Sequence, residues 1–243
     1  MTANAQGVTT SPPAADPSAT RIGFLAGMGA YLIWGVLPFY LRLLQGVPAA
    51  DVLAHRILWS VLVVVALIFA LKGWGRVRDA VRQPRLLLLL FASAICIAIN
   101  WLVYTWAILA GHAIDTSLGY FINPLVSVLF GVVLLGERLS RPQWLAVALA
   151  GLGVAVLTIE RGALPLVAIA LALSFGVYGL IRKQAAVDAA TGLFLETLML
   201  APVAALWIAG TPQGFAGWPP VTLLTLALGG IATAVPLMLF GVA

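Results

Sequence analysis

Apolar residues gather in long uninterrupted stretches along this chain, separated by short polar segments. The stretches cover about 22–44, 51–71, 86–110, 116–135, 143–160, 164–181 and 190–209, and an eighth runs from near 221 to the chain end, with bounds good to about two to four residues. Each matches the roughly 20 residues that cross a hydrocarbon layer about 30 Å thick. Inside lipid every backbone N–H and C=O must be satisfied within the segment, so each stretch is predicted to be a helix. The expected fold class is all-α, a polytopic transmembrane bundle with about eight helices present. Ahead of the first stretch lies MTANAQGVTTSPPAADPSAT, small, polar and proline-rich. It predicts a disordered tail over residues 1–21. It does not resemble a signal peptide, because the first apolar run begins only after Arg21 and is long enough to span.

Composition removes the soluble alternative. Of the 243 residues, 63% are hydrophobic and 9% charged, against about 45–50% and about 25% in a soluble domain. The net charge of +5 comes from 13 basic and 8 acidic residues. Nucleic acid is not the expected partner, because the basic residues stand in short loops between apolar runs, as topology signals do. The segment KGWGRVRDAVRQPR carries Lys72, Arg76, Arg78, Arg82 and Arg85 and is placed in the cytoplasm. Strict alternation then puts Arg21, Arg138, Arg141, Arg182 and Lys183 on the same side, ten of the 13 basic residues. The N-terminus is therefore expected in the cytoplasm, in a bacterial inner (plasma) membrane. The single cysteine, Cys96, makes no intrachain disulfide. Many of the glycines and prolines fall inside the runs, among them Gly35, Pro38, Pro124, Gly176, Gly229, Gly230 and Pro236. That pattern suits closely approaching, bent helices in lipid.

The chain also repeats itself weakly. IWGVLPFYLR (33–42) and SFGVYGLIRK (174–183) align an aromatic-Gly-Val step at Trp34, Gly35 and Val36 with Phe175, Gly176 and Val177, 141 positions apart. At the same offset His55 meets Glu196. Five helices fit in one unit, and an odd number forces the next unit to enter from the opposite side, the inverted arrangement of many secondary transporters. The first unit covers 22–160 and the second 161–243, which holds only about three helices. The sequence ends inside its eighth apolar run, so the second repeat is expected to be incomplete, short of two helices by truncation.

Several stretches resemble one family: IWGVLPFY (33–40), LAHRILWS (53–60), AINWLVYTWAI (98–108) and above all DTSLGYFINPLVSVLFGVVLLGERLSRPQWLAVALAGLGV (115–154). They are similar to the RarD branch of the EamA transporters, within the drug/metabolite transporter superfamily. The resemblance extends over residues 22 to 243. It implies ten helices in two five-helix inverted repeats with both termini cytoplasmic, and this sequence lacks the last two. Members of the branch are linked by name to chloramphenicol sensitivity, a phenotype that defines no substrate.

Polar groups inside lipid are costly, so each is a candidate for function. His55 and Arg56 lie a third of the way into the second run. Arg56 is a partner for an anionic substrate or for a carboxylate such as Glu196 or Asp115, with outward snorkelling as the alternative. His55 is a proton carrier or a plain interhelical hydrogen-bond partner. Asn100, Trp101, Tyr104 and Thr105 cluster in the third run, and helical spacing puts positions 97, 101, 104, 105 and 108 on one face. Tyr120, Asn123 and Pro124 lie in the fourth run, where Asn before Pro predicts a helix break near the cavity. The resemblance strengthens a lining role for these three. Trp34, Tyr40 and Tyr178 are further candidate aromatic walls. Glu137 and Arg138 read as a helix-end ion pair and topology anchor, with a gate as the alternative.

No catalytic residue, metal site or cofactor is expected. His55 and His112 are too few for most metal centres, and no G-x-S-x-G, Walker A loop or dinucleotide fingerprint occurs. Without a nucleotide-binding domain, any pumping must draw on an ion or solute gradient. The leading expectation is a secondary transporter of a small metabolite or amphipathic compound, working by alternating access. The alternatives are a non-transporting scaffold or receptor-like membrane protein, or an inactive fragment of a transporter. The expected partners are a small-molecule substrate, the lipid bilayer and a proton as candidate coupling ion, with a homodimer left open.

Overall fold

The computed structural model describes residues 17–136, 138–162 and 164–240. Among these there is no strand, and nine helices follow one another: α1 Pro17–Arg42, α2 Ala49–Ala70, α3 Trp74–Val81, α4 Pro84–Leu109, α5 Ala113–Leu135, α6 Arg141–Arg161, α7 Leu166–Gln184, α8 Ala189–Ala209 and α9 Pro220–Phe240. All but α3 are long and apolar enough to cross a membrane. The chain is a multi-pass helical membrane protein.

Local chemistry accounts for the helix ends. Pro84 opens α4 at a position where its missing N–H is not needed. Asp188 caps α8 by accepting the Thr191 N–H at 3.1 Å. At the start of α6 the Ser140 N–H donates to Gln143 Oε1 at 2.8 Å. Helices α5 and α6 both stop at a glycine in the left-handed region, Gly136 (φ 67°) and Gly162 (φ 64°).

Three expectations change. The tail assigned to 1–21 is helical from Pro17, a residue suited to the first turn of a helix; residues 1–16 lie outside the described residues. The basic loop at 72–85 contains α3, which turns Val77 and Ala80 inward and its charges outward. Its eight residues are too few to register as an apolar run. The break at Asn123–Pro124 does not occur, because α5 continues through Pro124. A proline removes one N–H and frees the carbonyl four residues back, here that of Tyr120, which a membrane helix tolerates when neighbours cover it. Glu137 lies outside the described residues, and its partner in the expected ion pair, Arg138, is exposed.

The exposed surface is largely apolar, and the interior, itself mostly apolar, holds a set of polar and charged groups. Phe24, Leu32, Phe39, Phe121, Val203, Leu206 and Val221 are exposed, whereas Asp51, His55, Arg56, Ser93, Thr105, Glu196 and Thr233 are buried. Water as solvent penalises such a distribution and lipid favours it. Helix pairing has a regularity of its own. α2 packs on α8; α1 packs on α9 as α7 packs on α4; α2 packs on α9 as α8 packs on α4. Exchanging α1, α2 and α4 with α7, α8 and α9 maps these pairings onto one another.

Close approach depends on glycine at two crossings. A Cβ on Gly230 of α9 would stand 2.6 Å from the Trp59 backbone in α2, and one on Gly176 of α7 would stand 2.8 Å from Val126 of α5. Small residues let membrane helices reach such distances.

Candidate functional site

Helices α1, α2, α4, α5, α7 and α9 line an open-sided cavity of about 200 Å³, with Tyr31, Tyr120 and Phe240 on its exposed rim. Five of its lining residues, one from each of α1, α2, α4, α5 and α7, share one depth, whereas those of α9 lie deeper, Thr233 in its second half and Phe240 at its end. Arg56 lies seven residues into α2, Tyr120 seven into α5 and Phe175 nine into α7, while Trp34 and Asn100 lie eight and nine residues before the ends of α1 and α4. With alternating helices these ends fall on one side, so the ring sits about 10–14 Å in from it at the helical rise.

Among the described residues lining the cavity Arg56 alone is charged, and it is 2% exposed. Nε donates to Thr233 Oγ1 at 2.9 Å and Nη1 to Thr105 Oγ1 at 3.1 Å. Its Cζ stands 5.6 Å from the centre of the Trp101 ring, a cation–π distance. Gly229 keeps this arrangement possible, because a Cβ there would stand 2.8 Å from both Arg56 Cγ and Tyr40 Oη. Among the described residues no carboxylate pairs with Arg56.

The remaining walls are aromatic and amide. Tyr104 and Tyr120 meet edge to face at 6.1 Å. Trp34 packs with Tyr31 at 5.6 Å and with Phe240 at 5.5 Å. Asn100 Nδ2 donates to the Leu171 carbonyl and to Ser174 Oγ, each at 3.0 Å, and so fastens α4 to α7. Asn123 lines the same space, and its Oδ1 is buried without a partner. The face expected on α4 is buried as a set: Ile97, Trp101, Tyr104, Thr105 and Ile108.

Of the sequence candidates, the cavity brings together Trp34, Arg56, Asn100, Trp101, Tyr104, Tyr120 and Asn123. Four lie elsewhere. Tyr40 donates to the Thr225 carbonyl at 2.7 Å, joining α1 to α9 behind Arg56. His55 is buried beside Phe215, ring to ring at 5.0 Å, with neither nitrogen bonded. Glu196 and Tyr178 belong to a second cluster. There the Ser93 hydroxyl donates to Glu196 Oε1 at 2.5 Å, Arg182 Nε stands 3.7 Å from the same oxygen, and Tyr178 lies within reach of both charges. Glu196 thus faces Arg182, and Asp115 is 3.3 Å from His112 Nδ1; neither takes the place of an Arg56 counter-ion. Glu196 lies seven residues into α8 and Ser93 nine into α4, counted from the opposite ends to those that frame the cavity.

Sequence reasoning missed Thr233, Tyr31, Phe175 and Phe240 as lining residues and Ser93 and Arg182 as partners of Glu196. Of the three threonines in α9, Thr222, Thr225 and Thr233, the last stands in the middle of the apolar run and was the available signal. The rings carry none, since an aromatic residue in a span reads equally as a lipid contact.

The EamA-like transporter family model matches residues 21–159. Protein RarD of Salmonella typhimurium is 44% identical over 229 residues, 93% of this chain and 78% of its own. The chain belongs to the EamA-like transporter family, in its RarD branch. Protein RarD of Escherichia coli is 44% identical over 229 residues, covering 93% of this chain and 77% of the relative. A more distant relative, the chloramphenicol-sensitive protein RarD of Pseudomonas aeruginosa, is 35% identical over 217 residues, covering 86% of this chain and 73% of the relative. No solved structure is a significant match to the chain.

Proposed function

We propose that this EamA-family chain is a secondary transporter that carries a small metabolite or amphipathic compound through the cavity by alternating access. The observation that carries the reading is a buried guanidinium, without a carboxylate partner among the described residues, on the wall of a cavity where six helices meet. Membrane proteins seldom hold a charge at such depth without a use for it. The exchangeable helix pairings support two inverted repeats, over 22–160 and 161–243, that rock against each other. The Glu196–Arg182–Ser93 cluster fills the space on the other side of the midplane and suits a closed gate.

Of the two candidates for a coupling proton, Glu196 is favoured over His55. Both groups have buried atoms without a partner, Glu196 Oε2 and the two His55 nitrogens, but of the two Glu196 alone also holds a cation, Arg182, which a proton on the carboxylate would release. We also place the N-terminus in the cytoplasm of a bacterial inner membrane. The basic residues carry this reading, and the Arg76–Asp188 pair at 3.3 Å puts both basic segments on one side.

Counterflow uptake in proteoliposomes tests the proposal, with labelled amino acids and amphipathic metabolites, with and without a pH gradient. Uptake by the wild type that falls in a folded Asn100→Ala variant is the expected result. Flux through the longer Escherichia coli relative and none through this chain would identify the chain alone as inactive. Equal uptake by wild type and Asn100→Ala would remove the cavity from the pathway.

A further inference from the structure

We infer that the solute is an organic monocarboxylate with a flat apolar body, its carboxylate held by the free edge of the Arg56 guanidinium. The inference rests on the reading of the cavity as the solute site. A guanidinium has five N–H groups and stays charged at any physiological pH. Thr233 takes the Nε proton and Thr105 one proton of Nη1. Three N–H groups therefore remain, one on Nη1 and two on Nη2. The two on Nη2 have no acceptor, and a carboxylate accepting from them makes charge-assisted hydrogen bonds.

Charge counting sets the valence of the ligand. A buried cation with neutral partners carries an uncompensated desolvation cost, which an anion entering the cavity offsets. Thr105, Thr233 and the Trp101 ring steady the guanidinium and leave its charge in place. Since no second basic residue lines the cavity among the described residues, a singly charged head group balances the site. A phosphate monoester, with nearly two charges, would leave one unmatched. A cationic solute would meet a like charge at close range.

The walls set the body of the ligand. Trp34, Phe175 and Phe240 present flat apolar surface, and Tyr104 and Tyr120 add ring edges with a polar tip. Rings prefer offset or edge-to-face neighbours over aliphatic ones of equal area.

The test is binding, read apart from flux. Purified full-length chain in mild detergent is titrated with phenylacetate, phenylacetamide and phenethylamine, three probes that differ in their head group. Tryptophan fluorescence reports occupancy, because Trp34 and Trp101 line the cavity. Saturable quenching is expected with phenylacetate at millimolar concentration and not with the amide or the amine. Arg56→Gln should weaken phenylacetate binding about ten- to hundred-fold, the range of a hydrogen-bonded charge. The comparison of probes on the wild type needs no variant, so the test survives an Arg56→Gln chain that fails to fold. Equal binding of the amide, or no binding of phenylacetate, overturns the inference. Binding with the expected preference but without counterflow would leave the inference standing and sink the transport proposal. Counterflow of neutral or cationic solutes without phenylacetate binding would do the reverse.

Discussion

Arg56 and Glu196 are buried ionisable groups handled in opposite ways. Arg56 has only neutral partners and faces a cavity, whereas Glu196 is enclosed with a cation and a hydroxyl. A group that must bind and release a charged solute needs the first environment, and one that must be closed in one state needs the second. If Glu196 carries the coupling proton, Glu196→Gln keeps the Ser93 contact and loses the charge change. Uptake should then stop responding to a pH gradient while counterflow persists; a variant that still responds to the gradient would move the proton elsewhere. Gly192 makes a related test. A Cβ there would run into the Arg182 guanidinium, the flexible end of a long side chain. Gly192→Ala should therefore push Arg182 off Glu196 and cost about 1–3 kcal/mol, the penalty for a buried polar group left unpaired. Unfolding by denaturing detergent measures it, and an unchanged midpoint would mean that Arg182 has a second resting place. The chemistry of Arg56 was legible in the sequence, since a cation in an apolar run announces itself. Its partners were not, because Thr105 and Thr233 come from helices 49 and 177 positions away in the chain.

At the scale of elements, the glycines divide into those that permit a crossing and those that face open space. Gly230 meets the backbone of Trp59, which cannot move aside as a side chain can. Gly35, in the middle of α1, has no atom within 4 Å of a would-be Cβ. Gly230→Ala should force α9 off α2 and lower the thermal midpoint in detergent. Gly35→Ala should leave it unchanged or raise it, since alanine is favoured over glycine in a helix by about 0.5–1 kcal/mol. A matching loss in both variants would mean that α1 is covered along that face.

The N-terminal end of α8 offers a pH-dependent test. Partial burial pushes the Asp188 carboxyl up, but the Thr191 backbone N–H and the Arg76 guanidinium outweigh it and hold the group below the ordinary aspartate value. A lowered folded-state pKa adds stability that is present above the unfolded value of about 3.9 and is lost as the pH falls through the folded value. Asp188→Ala should cost about 0.5–2 kcal/mol at neutral pH, the worth of an N-cap, and progressively less below about pH 4. A cost that persists in acid would assign the effect to packing. The helices were readable from apolar length alone, with ends shifted by a few residues. The amphipathic α3 was not, because in a short segment its two inward residues, Val77 and Ala80, stand out little from the charges around them.

For the whole molecule, the proposed sidedness rests on charge and the architecture on helix pairing. Reporter fusions should show the segment at 72–83 and the link between α7 and α8 in the cytoplasm, and the link between α1 and α2 outside. Opposite reporter signals at these sites would reverse the direction assigned to every step in the proposed cycle. The same fusions check the Arg76–Asp188 pair, because both residues must share a compartment.

The sequence alone determined that the chain lives in lipid, how many times it crosses, and which family it belongs to, since length, hydropathy and local motifs are properties of contiguous residues. It also singled out most of the residues that line the cavity, because a polar group in an apolar run is conspicuous wherever it ends up. Only the tertiary structure decided which of those groups meet. His55 and Arg56 are chain neighbours, yet successive residues on a helix point about 100° apart, so one is enclosed beside Phe215 and the other reaches the cavity. Glu196, paired with His55 by sequence offset, is drawn to Arg182 and Ser93, because a buried carboxylate is stable only where the packing of three helices brings it a cation and a hydrogen-bond donor.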